Sequence, residues 1–129
     1  MLQEPEGCGG PVRRRVLIVE DEALIALDME ATLRQLGCEV LSPATSVGEA
    51  ARLIESALPD AAVLDINLGQ DKVFTLADTL AERGVPFVFV TGYEPEILPP
   101  RHSHRPTAVK PCRGRALVEF LARVDILPC

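Results

Sequence analysis

At 129 residues the chain is long enough to bury one core without disulfide or metal staples. An apolar share of 47% with 25% charged residues excludes a disordered polymer, and a formal net charge of −6 disfavours nucleic acid or an anionic membrane as the main partner. No apolar run approaches the ~18 residues of a membrane span, and none follows the N-terminal basic residues as in a secretory signal, so a cytoplasmic protein is expected.

Residues 1–14, with Pro5, Gly7, Gly9, Gly10 and Pro11, read as a flexible tail, and 126–129 as a short C-terminal one. Between them, 15–125 forms one domain with no internal repeat. Val16-Leu17-Ile18-Val19 is a continuous aliphatic run, as expected of a strand buried on both faces. From Ala23 to Leu36 the residues Ile25, Met29, Leu33 and Leu36 share one helical face, and Gly37 supplies a stop. Glu39 to Leu41 reads as a short strand. Ser46-Val47-Gly48-Glu49 matches a capping box, with Ala50, Leu53, Ile54 and Ala57 on one stripe before Pro59.

Ala61-Ala62-Val63-Leu64 is the third strand. A turn at Gly69-Gln70-Asp71 leads to a helix carrying Phe74, Ala77, Leu80 and Ala81, which Gly84 ends. Pro86-Phe87-Val88-Phe89-Val90 is the fourth strand, with proline tolerated at its first position. Pro95, Pro99, Pro100 and Pro106 leave room for one helical turn at most before the short fifth strand, Thr107-Ala108-Val109. The last helix runs from about Arg113 to Val124 and buries Leu117, Phe120, Leu121 and Val124. Strand and helix alternate at βα spacing, which predicts a doubly wound, flavodoxin-like α/β fold. Its five parallel strands take the order 2-1-3-4-5, and its fourth helix is short or irregular.

Three signals fall at the carboxyl ends of strands, where such sheets bind ligands: Glu20-Asp21-Glu22, Asp65-Ile66-Asn67 and Lys110-Pro111. A nucleotide binder needs glycines or hydroxyls after its first strand, and the acids here would repel a phosphate unless a cation intervened. A haloacid-dehalogenase-type phosphatase would want a second carboxylate two residues after its nucleophile, where this chain has Asn67. Mg²⁺ takes one or two carboxylates and fills its octahedron with other oxygens, which Asp21 and Asp65 can begin and Glu20 extend through a coordinated water. Each residue alone has a plainer use, as a helix-start acid, a strand-end cap or a counter-ion. Cys8, Cys38, Cys112 and Cys129 form no Cys-x-x-Cys pair and read as free thiols. His102 and His104 offer zinc ligands, but their basic segment reads as a solvated loop.

Taken jointly, these residues resemble the receiver domains of bacterial two-component response regulators over about 15–125. Glu20 and Asp21 look like the acidic pair, Asp65 the phosphoacceptor, Thr91 the switch hydroxyl, and Lys110-Pro111 the lysine and its following proline. Phe89-Val90-Thr91-Gly92-Tyr93 is similar to the Phe-Ala-Thr-Gly-Tyr motif of single-domain receivers, with Val90 in place of alanine. Ordinary receivers carry an aromatic switch residue where this chain has Thr107, so Tyr93 is the candidate replacement.

The resemblance implies phosphoryl transfer from a kinase phosphohistidine, or from a phosphotransfer protein, to Asp65. Mg²⁺, or Mn²⁺ in its place, would sit on Glu20, Asp21, Asp65 and the main-chain carbonyl of Asn67. Lys110 would neutralise charge, and Thr91, Gly92, Tyr93 and Pro111 would carry the switch. The expected protein is a monomer or weak homodimer that catalyses only its own phosphorylation and dephosphorylation and signals by protein contacts. The short C-terminal tail leads to the expectation that no output domain follows. The alternatives are a phosphorylation-independent interaction module and a receiver excised from a hybrid kinase.

Overall fold

The computed structural model describes residues 14–41, 43–68, 71–92, 98–110 and 114–123, and of 67, 68, 71 and 72 the main chain. Tyr93, Pro111, Val124, the Gly69-Gln70 turn, the C-terminal tail and all of the N-terminal tail but Arg14 lie outside the described residues. The elements are β1 (Arg15–Val19), α1 (Ala23–Gln35), β2 (Glu39–Val40), α2 (Val47–Ser56), β3 (Ala61–Asp65), β4 (Asn67–Leu68), β5 (Asp71–Lys72), α3 (Phe74–Glu82), β6 (Phe87–Thr91), a single 3₁₀ turn Pro100–His102, β7 (Thr107–Val109) and α4 (Arg115–Arg123). The main sheet is wholly parallel with the order β2-β1-β3-β6-β7. Numbered among themselves, its strands run 2-1-3-4-5, as the alternation of elements predicts.

Strand periodicity sorts the core into two layers. Val16, Ile18, Ala61, Val63, Val88 and Val90 face one side with Met29 and Leu33 of α1 and Leu117, Phe120 and Leu121 of α4. Leu17, Val19, Ala62, Leu64, Phe87 and Phe89 face the other with Ala50 and Ile54 of α2 and Leu76, Ala77 and Leu80 of α3. The three central strands are therefore buried on both faces, which is why they read as unbroken apolar runs.

Helix faces depart from the sequence expectation in two places. On α1 the buried stripe is Ala26, Met29 and Leu33; Ile25 is only partly buried, and Leu36 is 46% exposed. The helix has ended by Leu36, which is its C-cap, and Gly37 then turns the chain at φ +90°. On α3 the stripe is Val73, Leu76, Ala77 and Leu80, spaced i, i+3, i+4, i+7, which rotates Ala81 out to solvent.

The capping box of α2 is made in a modified form. Ser46 Oγ accepts from Glu49 N–H at 3.1 Å, while the Glu49 carboxylate reaches one residue further back and accepts from Thr45 N–H and Oγ–H at 2.9 and 3.1 Å. Between β3 and α3, where the sequence suggests only a turn, β4 and β5 pair as a two-residue antiparallel ribbon, Asn67 opposite Lys72 and Leu68 opposite Asp71. Cys38 is a buried free thiol. Among the described residues no helix is long and apolar enough to cross a membrane.

The Ser46 cap gives a local test of this layout. Ser46→Ala should lower unfolding free energy by about 1 kcal/mol in a denaturant titration, with the slope of the transition unchanged.

Candidate functional site

Parallel pairing brings the carboxyl ends of β1, β3, β6 and β7 to one rim of the sheet. Glu20 directly follows β1, and its N–H donates to Ala44 O at 2.9 Å, which ties the loop after β1 to the chain beyond β2. Asp65 ends β3 and Thr91 ends β6. Glu20, Asp65 and Thr91 are 1%, 3% and 1% exposed, whereas Asp21 lies open to solvent. Lys110 directly follows β7, and its N–H donates to Thr91 O at 2.8 Å. Gly92 comes next to Thr91, and among the described residues beyond its chain neighbours no atom lies within 4 Å of where a Cβ would stand.

The side chains converge. Lys110 Nζ donates to Glu20 Oε2 at 3.1 Å and to Asp65 Oδ2 at 3.2 Å, with Glu22 Oε1 at 3.6 Å. Glu22 N–H donates to Glu20 Oε2 at 3.2 Å. Oxygens of Glu20, Asp21 and Asp65 all lie within 4.8 Å of one another. Among the described residues the cluster therefore gathers four carboxylates, counting Glu22, and one ammonium, a formal excess of three negative charges.

Burial, and next the charge of Asp65, push the Glu20 carboxyl up from 4.5 to about 7, although the bonds from Lys110 and Glu22 N–H pull the other way. At Lys110 burial works against the ammonium, but its bonds to Glu20 and the charge of Asp65 outweigh it and raise its pKa. Glu20 Oε1 is buried without a hydrogen-bond partner among the described residues. An all-oxygen cluster with excess negative charge and an unsatisfied buried carboxylate oxygen fits a small hard cation such as Mg²⁺.

The sequence-predicted residues Glu20, Asp21, Asp65, Thr91 and Lys110 are therefore brought to one rim. Asn67 lies two residues beyond Asp65, on β4. The reading of His102 as part of a solvated loop is corrected: it is 2% exposed, with its ring against Phe74, Phe87 and Phe89 and its Nε2 2.8 Å from Asp78 Oδ1. Its flanking charges hid it. The available signal was geometric, because the proline-rich stretch before β7 still has to cover Phe87 and Phe89.

The sequence matches the response regulator receiver domain family over residues 16–99, and the chain belongs to that family. It is 36% identical over 83 residues to the transcriptional regulatory protein PdtaR of Mycobacterium tuberculosis, covering 64% of this chain and 40% of that one. It is 37% identical over 86 residues to the phyllosphere-induced regulator PhyR of Methylorubrum extorquens, covering 64% of this chain and 32% of that one. The chain thus spans two-fifths or less of the curated relatives it matches. The solution structure of SdrG from Sphingomonas melonis superposes with a TM-score of 0.74 at 37% identity, over 85% of this chain and 94% of that one.

Glu20 carries a pH signature. Its folded pKa lies above its unfolded one, so its contribution to stability is complete below about 4.5 and is lost as pH rises through about 7. In metal-free buffer the melting temperature of Glu20→Gln should therefore rise relative to wild type as pH goes from 4.5 to about 7, the unfolded and folded values. A parallel pH dependence of the two proteins would show that Glu20 is not the titrating group.

Proposed function

We propose that this receiver accepts a phosphoryl group on Asp65 from a phosphohistidine of a histidine kinase or phosphotransfer protein, and signals through protein contacts that depend on it. The observation that carries this reading is the Lys110 ammonium spanning Glu20 and Asp65 beside the unpartnered Glu20 Oε1. A purely structural ion pair has no use for a third carboxylate in the same cluster. Receiver membership and the SdrG likeness support the same reading.

Asp65 is the nucleophile: a carboxylate oxygen forms the bond to phosphorus as the nitrogen–phosphorus bond of the donor breaks. The electron pair returns to the donor imidazole, which takes a proton from solvent. Lys110, held 3.2 Å from Asp65 Oδ2, stays beside the carboxylate and balances charge on the arriving phosphoryl oxygens. Thr91, at the end of the strand that pairs with β3, offers its hydroxyl to one of those oxygens. Glu20, Asp21, Asp65 and the main-chain carbonyl of Asn67 would hold Mg²⁺, or Mn²⁺ in its place, which when bound neutralises the phosphoryl oxygens.

The chemistry is confined to the chain's own carboxylate, so it is not an enzyme acting on a separate turnover substrate. Its setting is the cytoplasm, as a monomer or weak homodimer. Gly92, Tyr93 and Pro111, flanking Thr91 and Lys110 in the chain, carry the switch outward.

Incubation with acetyl phosphate and Mg²⁺ should add one phosphoryl group by intact mass, and Asp65→Asn or omission of the cation should abolish it. If neither acetyl phosphate nor a phosphorylated kinase modifies the wild type, the protein is a phosphorylation-independent module. Asp21→Asn should weaken Mg²⁺ binding by roughly tenfold or more while leaving metal-free stability unchanged or higher, since a like charge leaves the cluster. Calorimetric titration with Mg²⁺ and thermal melts in chelator check the two halves of that expectation.

A further inference from the structure

Lys110 owes its place to β7, yet β7 is a strand with little of its own to fix its register. It has three residues and one neighbour, β6, and its Thr107 and Val109 are exposed while Ala108 is half-buried. Register is set strongly where a face is buried and weakly where it is not. A slip of two residues would carry Lys110 roughly 6.6 Å along the strand axis, off the rim and away from both carboxylates.

The residues just before β7 supply the missing constraint. His102 is the most enclosed of them, in ring contact with Phe74, Phe87 and Phe89 at centroid distances of 6.4, 5.9 and 6.0 Å. Its Nε2 lies 2.8 Å from Asp78 Oδ1 on α3, and because an ionised carboxylate only accepts, that nitrogen carries the proton. Arg101 takes both oxygens of Asp78 at 2.7 and 3.0 Å, which holds the Asp78 carboxyl below its usual range and fixes its orientation. From His102 the chain closes a turn through Arg105 N–H to His102 O at 3.0 Å, and the Arg105 guanidinium lies 4.4 Å above the Phe87 ring. Pro106 O then accepts from Phe89 N–H at 3.0 Å, the first rung of the β6–β7 ladder.

We propose that His102 is a positioning residue for the chemistry at Asp65: pinned to Asp78 of α3 and to the aromatic side of β6, it fixes the register in which β7 joins the sheet and so sets Lys110 between Glu20 and Asp65. The proposal rests on the phosphoacceptor reading for its kinetic consequence, but not for its structural one. The exposed Arg101 pair contributes little by itself, since it is open to solvent screening. The buried imidazole does not share that weakness.

The test is amide hydrogen exchange by NMR on the full chain, paired with acetyl phosphate labelling in Mg²⁺. His102→Ala and Asp78→Ala should each speed exchange of the Phe89 and Lys110 amides about tenfold, the loss of roughly one hydrogen bond's worth of protection. The Ile66 and Ala44 amides, bonded to Val90 O and Ile18 O in other ladders, should keep theirs. Labelling of Asp65 should slow several-fold in both variants, while Asp60→Ala, which loses its bond from Arg15 N–H at the opposite, amino-terminal end of β1, should label like wild type. Should His102→Ala fail to fold, Asp78→Ala decides, since its side chain lies at the surface of α3. Unchanged exchange at Phe89 and Lys110 overturns the proposal, as does labelling at the wild-type rate. If the wild type itself takes no label, the phosphoacceptor reading fails and the exchange result still judges the pin.

Discussion

The Lys110 ammonium stands 3.1 Å from Glu20 and 3.2 Å from Asp65, and both carboxylates are almost wholly buried. Those groups sit at the ends of three separate strands, so a single cation holds together a rim that its own charges would otherwise push apart. Removing one partner of such a group typically costs several kcal/mol, because the remaining charge stays buried and uncompensated. Even with Lys110 in place, burial first and the charge of Asp65 second displace the Glu20 carboxyl upward. The cluster of Glu20, Asp21 and Asp65 therefore concentrates negative charge of the kind a divalent cation would offset.

Everything else in the fold serves to bring those strand ends level. The three central strands are locked by burial on both faces, so β1 and β3 pair from Val16 with Ala61 to Val19 with Leu64, and β3 and β6 from Ala62 with Phe87 to Asp65 with Val90. These registers place Glu20, Asp65 and Thr91 within one residue of the same rim. Of the four strands that carry site residues at their ends, β7 alone lacks that two-sided burial, and it is also the strand that delivers the cation.

Most of this was legible in the sequence because it depends on short-range pattern. Val16 to Val19 and Ala61 to Leu64 could only be doubly buried strands, and the acids that follow them had to lie at a sheet rim. Ser46 announced a helix start by chemistry that acts within three residues. What was not legible depends on partners distant in the chain. The rotation of α3 that exposes Ala81 reflects how Val73 and Leu76 meet the sheet. The burial of His102 needs Asp78, 24 residues away, and rings contributed by α3 and β6. A basic stretch around a histidine looks the same in sequence whether it covers a sheet or floats in water. The β4–β5 ribbon was likewise hidden, since two-residue strands carry no periodicity.

The strands at the two borders of the main sheet are its shortest, two residues in β2 and three in β7. Long, flat borders offer unpaired amides and carbonyls as a template on which another chain can add a strand, and with it a route to aggregation. Borders of two and three residues offer too few rungs to hold an extra strand in register. The sheet thus keeps its full length for the interior strands, whose ends bring Glu20, Asp65 and Thr91 to one rim.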